Sequence, residues 1–254
     1  MIWVKDSHEL EAMRHAGRLT EATLMFLGRN IKPGITTLEL DSMAERFIHK
    51  HGGKASFKNY RGYPKSICTS LNEVVVHGIP DCTVLYEGDI ISIDIGVLLD
   101  GFHGDAARTF PVGKISPEAQ KLIDTAEECF FDALKFAVDG NRIGDISAAV
   151  QKKAEGNGYG VVRELVGHGI GKSLHEDPDV PNYGEAGRGI RLRRGMTIAI
   201  EPMITAGSPK VKQLEDGWTV KTCDGRWAAH YENTVAITDN EAEILTISPR
   251  KLQR

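Results

Sequence analysis

The chain has no CxxC pair, no long apolar run and no marked excess of either charge. Its four cysteines, Cys68, Cys82, Cys129 and Cys223, are widely scattered. Neither a disulfide framework nor a zinc ribbon is written into that spacing, which suits a reducing compartment. No stretch approaches the roughly 18 apolar residues needed to span a bilayer. The amino terminus, MIWVKDSHELEAMRHAGR, is charged almost from its start and lacks the apolar core of a signal peptide. A formal net charge of −4 provides no global basic field to draw nucleic acid or anionic lipid. A phosphate-binding P-loop is missing too, because Lys172-Ser173 lacks the first glycine of that motif. These absences predict a soluble, cytoplasmic protein with no membrane contact.

What is present is a globular composition. Of 254 residues, 41% are hydrophobic and 26% charged, enough for a sizeable core in one large domain or two small ones. Asp6 with Glu9, and Thr36 with Glu39, read as capping boxes opening two helices, the second ended by Gly52-Gly53. From about 66 to 110 the chain turns β-branched, with Asp100-Gly101 as a hairpin turn. Ser116-Pro117 opens a third helix, closed by Gly140, and a fourth runs from about Asp145 to Glu155. Short strands follow near 160–166, 196–201, 217–222 and 229–237. This helix–helix–strands order, given twice, predicts one α+β domain over 1–254 with similar halves of about 1–114 and 115–254. The segment GEAGRGIRLRRG, 184–195, reads as a solvated loop, with a small anion-contacting or ribosome-facing patch as the alternative.

The hairpin carries the first chemistry. With Asp100-Gly101 at the turn, Leu99 faces Phe102 and Asp94 faces Ala107, which puts Asp94 and Asp105 on one face as diagonal neighbours about 7–8 Å apart. Two carboxylates that close repel unless a proton or a metal separates them. His103 shares the parity of Asp105 and is either a ligand or a satisfied strand histidine. Further along, His168 lies between glycines in GHGIG and is followed by His175 in HEDP. Glu201 ends TIAIE before Pro202, and Glu232 falls in the apolar strand HYENTVAIT. Each alone reads equally well as an ordinary carboxylate or packed histidine. Together, Asp94, Asp105, Glu201 and Glu232 offer four oxygen ligands and His168 a nitrogen, a hard set suited to Mn, Fe(II), Co or Zn.

YPKSICTSLNEVVVHGIP, DIGVLLDGFHGDAARTF, GHGIGKSLHEDPDVPNY, AIEP and HYENTVAIT together resemble the type I methionine aminopeptidases, in the short form without an N-terminal zinc-binding extension. The resemblance spans nearly the whole chain. It implies a pita-bread fold, two pseudo-symmetric α+β halves around two divalent metal ions. It casts Asp94, Asp105, His168, Glu201 and Glu232 as ligands, with Asp105 and Glu232 bridging and Glu201 also the general base. His77 and His175 are then the groups that contact the substrate amide, and Tyr60, Tyr63, Cys68 and Trp218 line the methionine pocket. The implied activity is removal of the initiator methionine from nascent proteins and peptides, with a small second residue preferred. A monomer with a transient ribosome contact fits that role. Two features depart from the family pattern: Leu174 stands where phenylalanine is frequent, and Phe57 where some relatives have cysteine. Two other readings share the fold. One is an X-Pro-type aminopeptidase, whose usual extra N-terminal domain this length leaves no room for. The other is a catalytically inactive peptide- or RNA-binding protein, which would be expected to have lost ligands.

Overall fold

The computed structural model describes residues 2–247, and its first two helices begin at the two capping boxes. The Asp6 carboxylate accepts from the Glu9 N–H at 2.9 Å while Glu9 reaches back to the Asp6 N–H, opening α1 (Ser7–Gly28). Thr36 and Glu39 do the same for α2 (Thr37–Lys50). There follow β1 (Lys54–Ala55), a 3-10 turn at Tyr60–Gly62, β2 (Cys68–Leu71), β3 (Val74–Val76), β4 (Ile90–Leu99) and β5 (Phe102–Pro111). Strand β4 pairs with β5 along one edge and with β1 and β2 along the other. Its Ile91, Ile93, Ile95 and Val97 are fully buried with Leu24, Leu27, Leu40 and Ile48 of the two helices. The opposite face of the strand, which carries Asp94, is left for the site.

The β4–β5 register is the one that the turn predicts. Asp100 and Gly101 both have positive φ, +52° and +81°, as a primed two-residue hairpin requires. Leu99 opposes Phe102, Asp94 opposes Ala107, and Gly96 opposes Asp105.

In the second part of the chain α3 (Pro117–Leu134) starts at the Ser116 cap, with proline in its first turn. It stops at Leu134 rather than near Gly140, because residues 135–139 are drawn away: Val138 bridges Thr238, and the Asp139 N–H donates to the Thr238 carbonyl. Helix α4 (Ile143–Gly156) begins before Asp145, whose side chain instead closes back onto the Arg142 N–H at 2.8 Å. The strands are β6 (Gly160–Val161), β7 (Val166–Gly169), β8 (Glu176–Pro181), β9 (Thr197–Ile200), β10 (Met203–Thr205), β11 (Val211–Gln213), β12 (Val220–Thr222), β13 (Ala228–His230), β14 (Asn233–Ala236) and β15 (Glu243–Ile244). One sheet runs β15-β14-β9-β7-β8; smaller ones run β13-β10-β6 and β11-β12-β3.

Three strand expectations need correction. The strand expected over 229–237 is two, because the chain changes sheets at Tyr231-Glu232: β13 pairs with β10 and β14 with β9. The strand expected near 160–166 is also two, β6 and β7, the second running on to Gly169 and carrying His168. Strand β12 starts only at Val220, since the Asp216 carboxylate holds the Trp218 and Thr219 N–H groups in a turn, each at 2.8 Å.

The two parts of the chain are joined by hydrogen bonds between β5 and the start of β14. Ala107 and Glu232 exchange N–H···O bonds of 3.3 and 2.9 Å. The Thr234 hydroxyl accepts from the Asp105 N–H and donates to the Asp105 carbonyl, each at 2.9 Å. This seam brings Asp105 and Glu232 together. Among the described residues no helix is long and apolar enough to cross a membrane. Residues 184–191 are exposed, as a solvated loop would be.

Candidate metal centre and side-chain pocket

A cavity of about 180 Å³ lies over the seam, lined by Phe57, Tyr60, Arg61, Tyr63, Cys68, His77, Asp94, Asp105, His168, Leu174, His175, Glu201, Trp218 and Glu232. Every site residue expected from sequence is in that set. Larger surface grooves lie elsewhere and hold none of them.

Each acidic group is delivered by a different device. Asp94 and Asp105 come from neighbouring rungs of the β4–β5 hairpin. Glu201 follows the last residue of β9, and Glu232 sits at the break between β13 and β14. The Glu232 backbone is held by Ala107 and by Arg108, whose guanidinium donates to the Glu232 carbonyl and, at 2.7 Å, to the Asn233 side chain. Arg108 is itself buried over the Tyr231 ring and 3.6 Å from Glu21. A buried cation thus braces the strand break from below.

His168 is oriented by its own strand. Its Nδ1 lies 2.8 Å from the Gly169 carbonyl, which can only accept, so Nδ1 carries the proton and Nε2 offers a lone pair. That Nε2 is 3.9 Å from Asp105 Oδ2 and 3.7 Å from Glu201 Oε1. The flanking glycines answer to packing. A Cβ on Gly167 would stand 2.4 Å from the Ala199 carbonyl, and one on Gly169 2.1 Å from the Asp177 carbonyl. They let β7 fit between β8 and β9.

The electrostatics call for a cation. Burial, then Asp105 and Glu201 nearby, raises the Asp94 carboxyl well above the usual range. Burial raises Asp105 to about 7, and burial with the neighbouring carboxylates raises Glu201 and Glu232 well above theirs. Asp94 Oδ1, Asp105 Oδ1 and Glu232 Oε1 are buried without a hydrogen-bond partner. Such orphans are costly. Ligand atoms of Asp105, His168 and Glu232 lie within 4.8 Å of one another. Buried, unpartnered oxygens beside an oriented imidazole fit a divalent cation and leave little else that would hold them together.

The remaining lining is a side-chain pocket. Cys68 opposes Asp94 in the β2–β4 ladder and is 4% exposed at the cavity floor. The single Tyr63 O–H proton is shared between the Ile67 and Gly78 carbonyls, at 3.0 and 3.1 Å, which fixes the ring in the pocket wall. Trp218 meets that ring edge-on at 5.0 Å. Phe57 and Leu174, the two departures from the family pattern, are both buried in the wall. Pockets for drug-sized ligands run to roughly 300–1,000 Å³; this one admits a single side chain.

Two histidines stand at the edge. His77 follows β3 with φ +60°, a left-handed position that costs energy for a non-glycine residue. It is held there because the next residue, Gly78, packs against β2, with its carbonyl accepting from Thr69 N–H at 2.8 Å. Burial lowers its basicity. His175 is exposed at the mouth, with Nδ1 2.8 Å from the Tyr60 hydroxyl and its ring 4.2 Å from that of His168. Desolvation of its inner face, then His168 and Arg61 beside it, pushes it down to about 3. His103 is elsewhere, bonded to Ser56 Oγ at 2.8 Å, the satisfied strand histidine of the two alternatives.

Sequence reasoning missed His230. It is 1% exposed, its ring nitrogens have no hydrogen-bond partner, and Nε2 lies 3.8 Å from Glu201 and 3.9 Å from Glu232. Its spacing of two from Glu232 was the available signal. Arg61, at the mouth, carried none.

Comparison with known proteins agrees with this geometry. A model of metallopeptidase family M24 matches residues 11–239. A methionine aminopeptidase of Clostridium perfringens is 55% identical over 247 residues, 97% of this chain and 99% of that protein. The crystal structure of methionine aminopeptidase from Rickettsia prowazekii superposes with a TM-score of 0.96 at 40% identity, covering 97% of this chain and 100% of that one. An Xaa-Pro dipeptidase from Bacillus anthracis shares the fold alone, at a TM-score of 0.79 and 22% identity, over 97% of this chain and 62% of that one.

Proposed function

This chain belongs to metallopeptidase family M24, and within it to the methionine aminopeptidases; on that footing we propose that it hydrolyses the peptide bond after an N-terminal methionine. The observation that carries the proposal is the convergence, in one small cavity of a pita-bread fold, of four buried carboxylates and an oriented imidazole with a pocket for one side chain. Substrates are peptides and nascent proteins that begin with methionine, with a small second residue preferred.

Asp94, Asp105, His168, Glu201 and Glu232 would hold two divalent cations, whose charge the four carboxylates would balance. The donor set accepts Co, Mn, Fe(II) or Zn. When bound, such ions supply Lewis acidity, lowering the pKa of a water and polarising the scissile carbonyl. The protein's own groups do the rest. Glu201 takes the proton of the attacking water and passes it to the leaving amine as the C–N bond breaks. With the Tyr60 hydroxyl donating to Nδ1, the neutral His175 ring keeps its proton on Nε2, and that N–H hydrogen-bonds the carbonyl oxygen. His77 bonds the peptide nitrogen. Cys68, Tyr60, Tyr63 and Trp218 receive the thioether side chain, since sulfur packs well against aromatic rings.

We read residues 1–254 as one catalytic domain with halves of about 1–114 and 115–254, a reading supported by the β5–β14 seam; residues 1 and 248–254 lie outside the described residues. A monomeric cytoplasmic enzyme acting on nascent chains would touch the ribosome transiently. The exposed Arg188, Arg191, Arg193 and Arg194 support such a contact. Titrating metal-stripped protein with Mn(II), Co(II), Fe(II) and Zn(II) tests the centre. Two ions per chain are expected, with Asp94→Asn reducing that number; a folded protein that binds none of them would contradict the proposal.

A further inference from the structure

Outside the cavity, a buried ion pair lies beneath the turn that carries His175. Lys5, in the strap preceding α1, places Nζ 2.6 Å from Glu176 Oε2, and the two side chains are only 4% and 8% exposed. The other lysine ion pairs among the described residues are at the surface. Burying two charges is favourable only when the geometry is good and their remaining donors and acceptors are satisfied. Here they are satisfied. Glu176 Oε1 accepts from the Ser173 N–H at 3.1 Å, and Lys5 Nζ also reaches the Trp3 carbonyl at 3.4 Å. The Lys5 backbone is fixed in turn, donating to the Gly195 carbonyl at 2.8 Å.

Glu176 is the residue after His175 and pairs with Gly169 across the β7–β8 ladder. Its carboxylate therefore closes the connection from β7 to β8 from beneath, with one oxygen on the strap and the other on the turn. The Gly171 N–H donates to the Ser173 carbonyl at 3.0 Å, and the His103 N–H donates to the Gly171 carbonyl at 2.8 Å. A Cβ on Gly171 would stand 2.6 Å from both Glu176 Oε1 and Lys5 Cε, so the turn rests directly on the ion pair. Above it are Leu174, in the cavity wall, and His175, whose ring is exposed at the mouth.

We propose that Lys5 and Glu176 are positioning residues for the reaction, the ion pair fixing the turn so that His175 is held at the cavity. The strap before α1 is thereby part of the working site. The proposal rests on His175 being the donor to the scissile carbonyl.

Lys5→Met keeps the stem and removes the charge. Expected are a fall in kcat on the order of 10- to 100-fold, a KM little changed, and wild-type metal content. In a His175→Ala background the same substitution should cost nothing more, because the group it acts through is gone. Glu176→Gln and the Lys5→Met/Glu176→Gln double variant should show the same loss as Lys5→Met, which keeps the test open if one single variant folds poorly. The proposal is overturned by wild-type kcat in Lys5→Met, by loss of metal along with activity, or by restored kcat in the double variant. It is equally overturned if Lys5→Met lowers the residual activity of His175→Ala by the same factor as in wild type, the mark of a general structural effect. Wild-type turnover in His175→Ala alone would remove the His175 assignment, and is seen without touching the ion pair.

Discussion

At the scale of single residues, the roles divide between holding charge and shaping space. Glu201→Gln removes the carboxylate of the proposed general base while keeping its size. Turnover should fall by roughly 10²–10⁴-fold, with the circular dichroism spectrum of the fold unchanged; near-normal methionine release would contradict the assignment. Cys68 forms the floor of a cavity of about 180 Å³, so Cys68→Phe should overfill it. At about 1–3 kcal/mol for overpacking, KM for a methionine peptide should rise roughly tenfold or more, with metal content intact. An unchanged KM would place the side chain elsewhere. At this scale the sequence was informative wherever local geometry fixed a neighbour. The Asp100-Gly101 turn alone set the spacing of Asp94 and Asp105. His230 was hidden because the residue is packed between elements that only the tertiary fold brings together.

At the scale of elements, the site depends on strand edges meeting. The Thr234 hydroxyl bonds both backbone groups of Asp105 across the β5–β14 seam. Thr234→Val would leave that buried N–H and carbonyl unpaired at a cost of about 1–3 kcal/mol. For a chain of this size each kcal/mol is roughly 2–4 °C, so a thermal melt should show Tm lowered by several degrees; an unchanged Tm would mean that the seam is held by other bonds. The helix starts were legible because caps are local: Asp6 and Thr36 act within four residues. The later strands were legible in part: the one expected near 196–201 is β9, Thr197–Ile200, whereas β8 was not expected. Strand β8 contains Pro178 and Pro181, which argue against a strand in isolation, yet it survives at the edge of its sheet. The break at Tyr231-Glu232 reflects a change of partner sheet, which no local preference records.

At the scale of the molecule, two sets of elements enclose four carboxyl groups that burial and mutual repulsion keep from ionising freely. Asp105 is raised to about 7, and Asp94, Glu201 and Glu232 well above the usual carboxylate range. A cation therefore displaces protons at neutral and mildly acidic pH, and affinity should increase as pH rises. Between pH 7 and 6, Mn(II) affinity should weaken by about tenfold for each proton displaced. Calorimetric titration in buffers of different ionisation enthalpy measures that release, and none at pH 6 would show that the carboxylates are already charged. The most direct test of the whole account is release of free methionine from a Met-Ala-Ser peptide. Metal-stripped protein would be assayed as each cation is restored, with an X-Pro peptide alongside. The account predicts methionine release that depends on the metal and falls by roughly 10²–10⁴-fold in Glu201→Gln. Cleavage of the X-Pro peptide alone, or no cleavage by folded, metal-loaded protein, would contradict it.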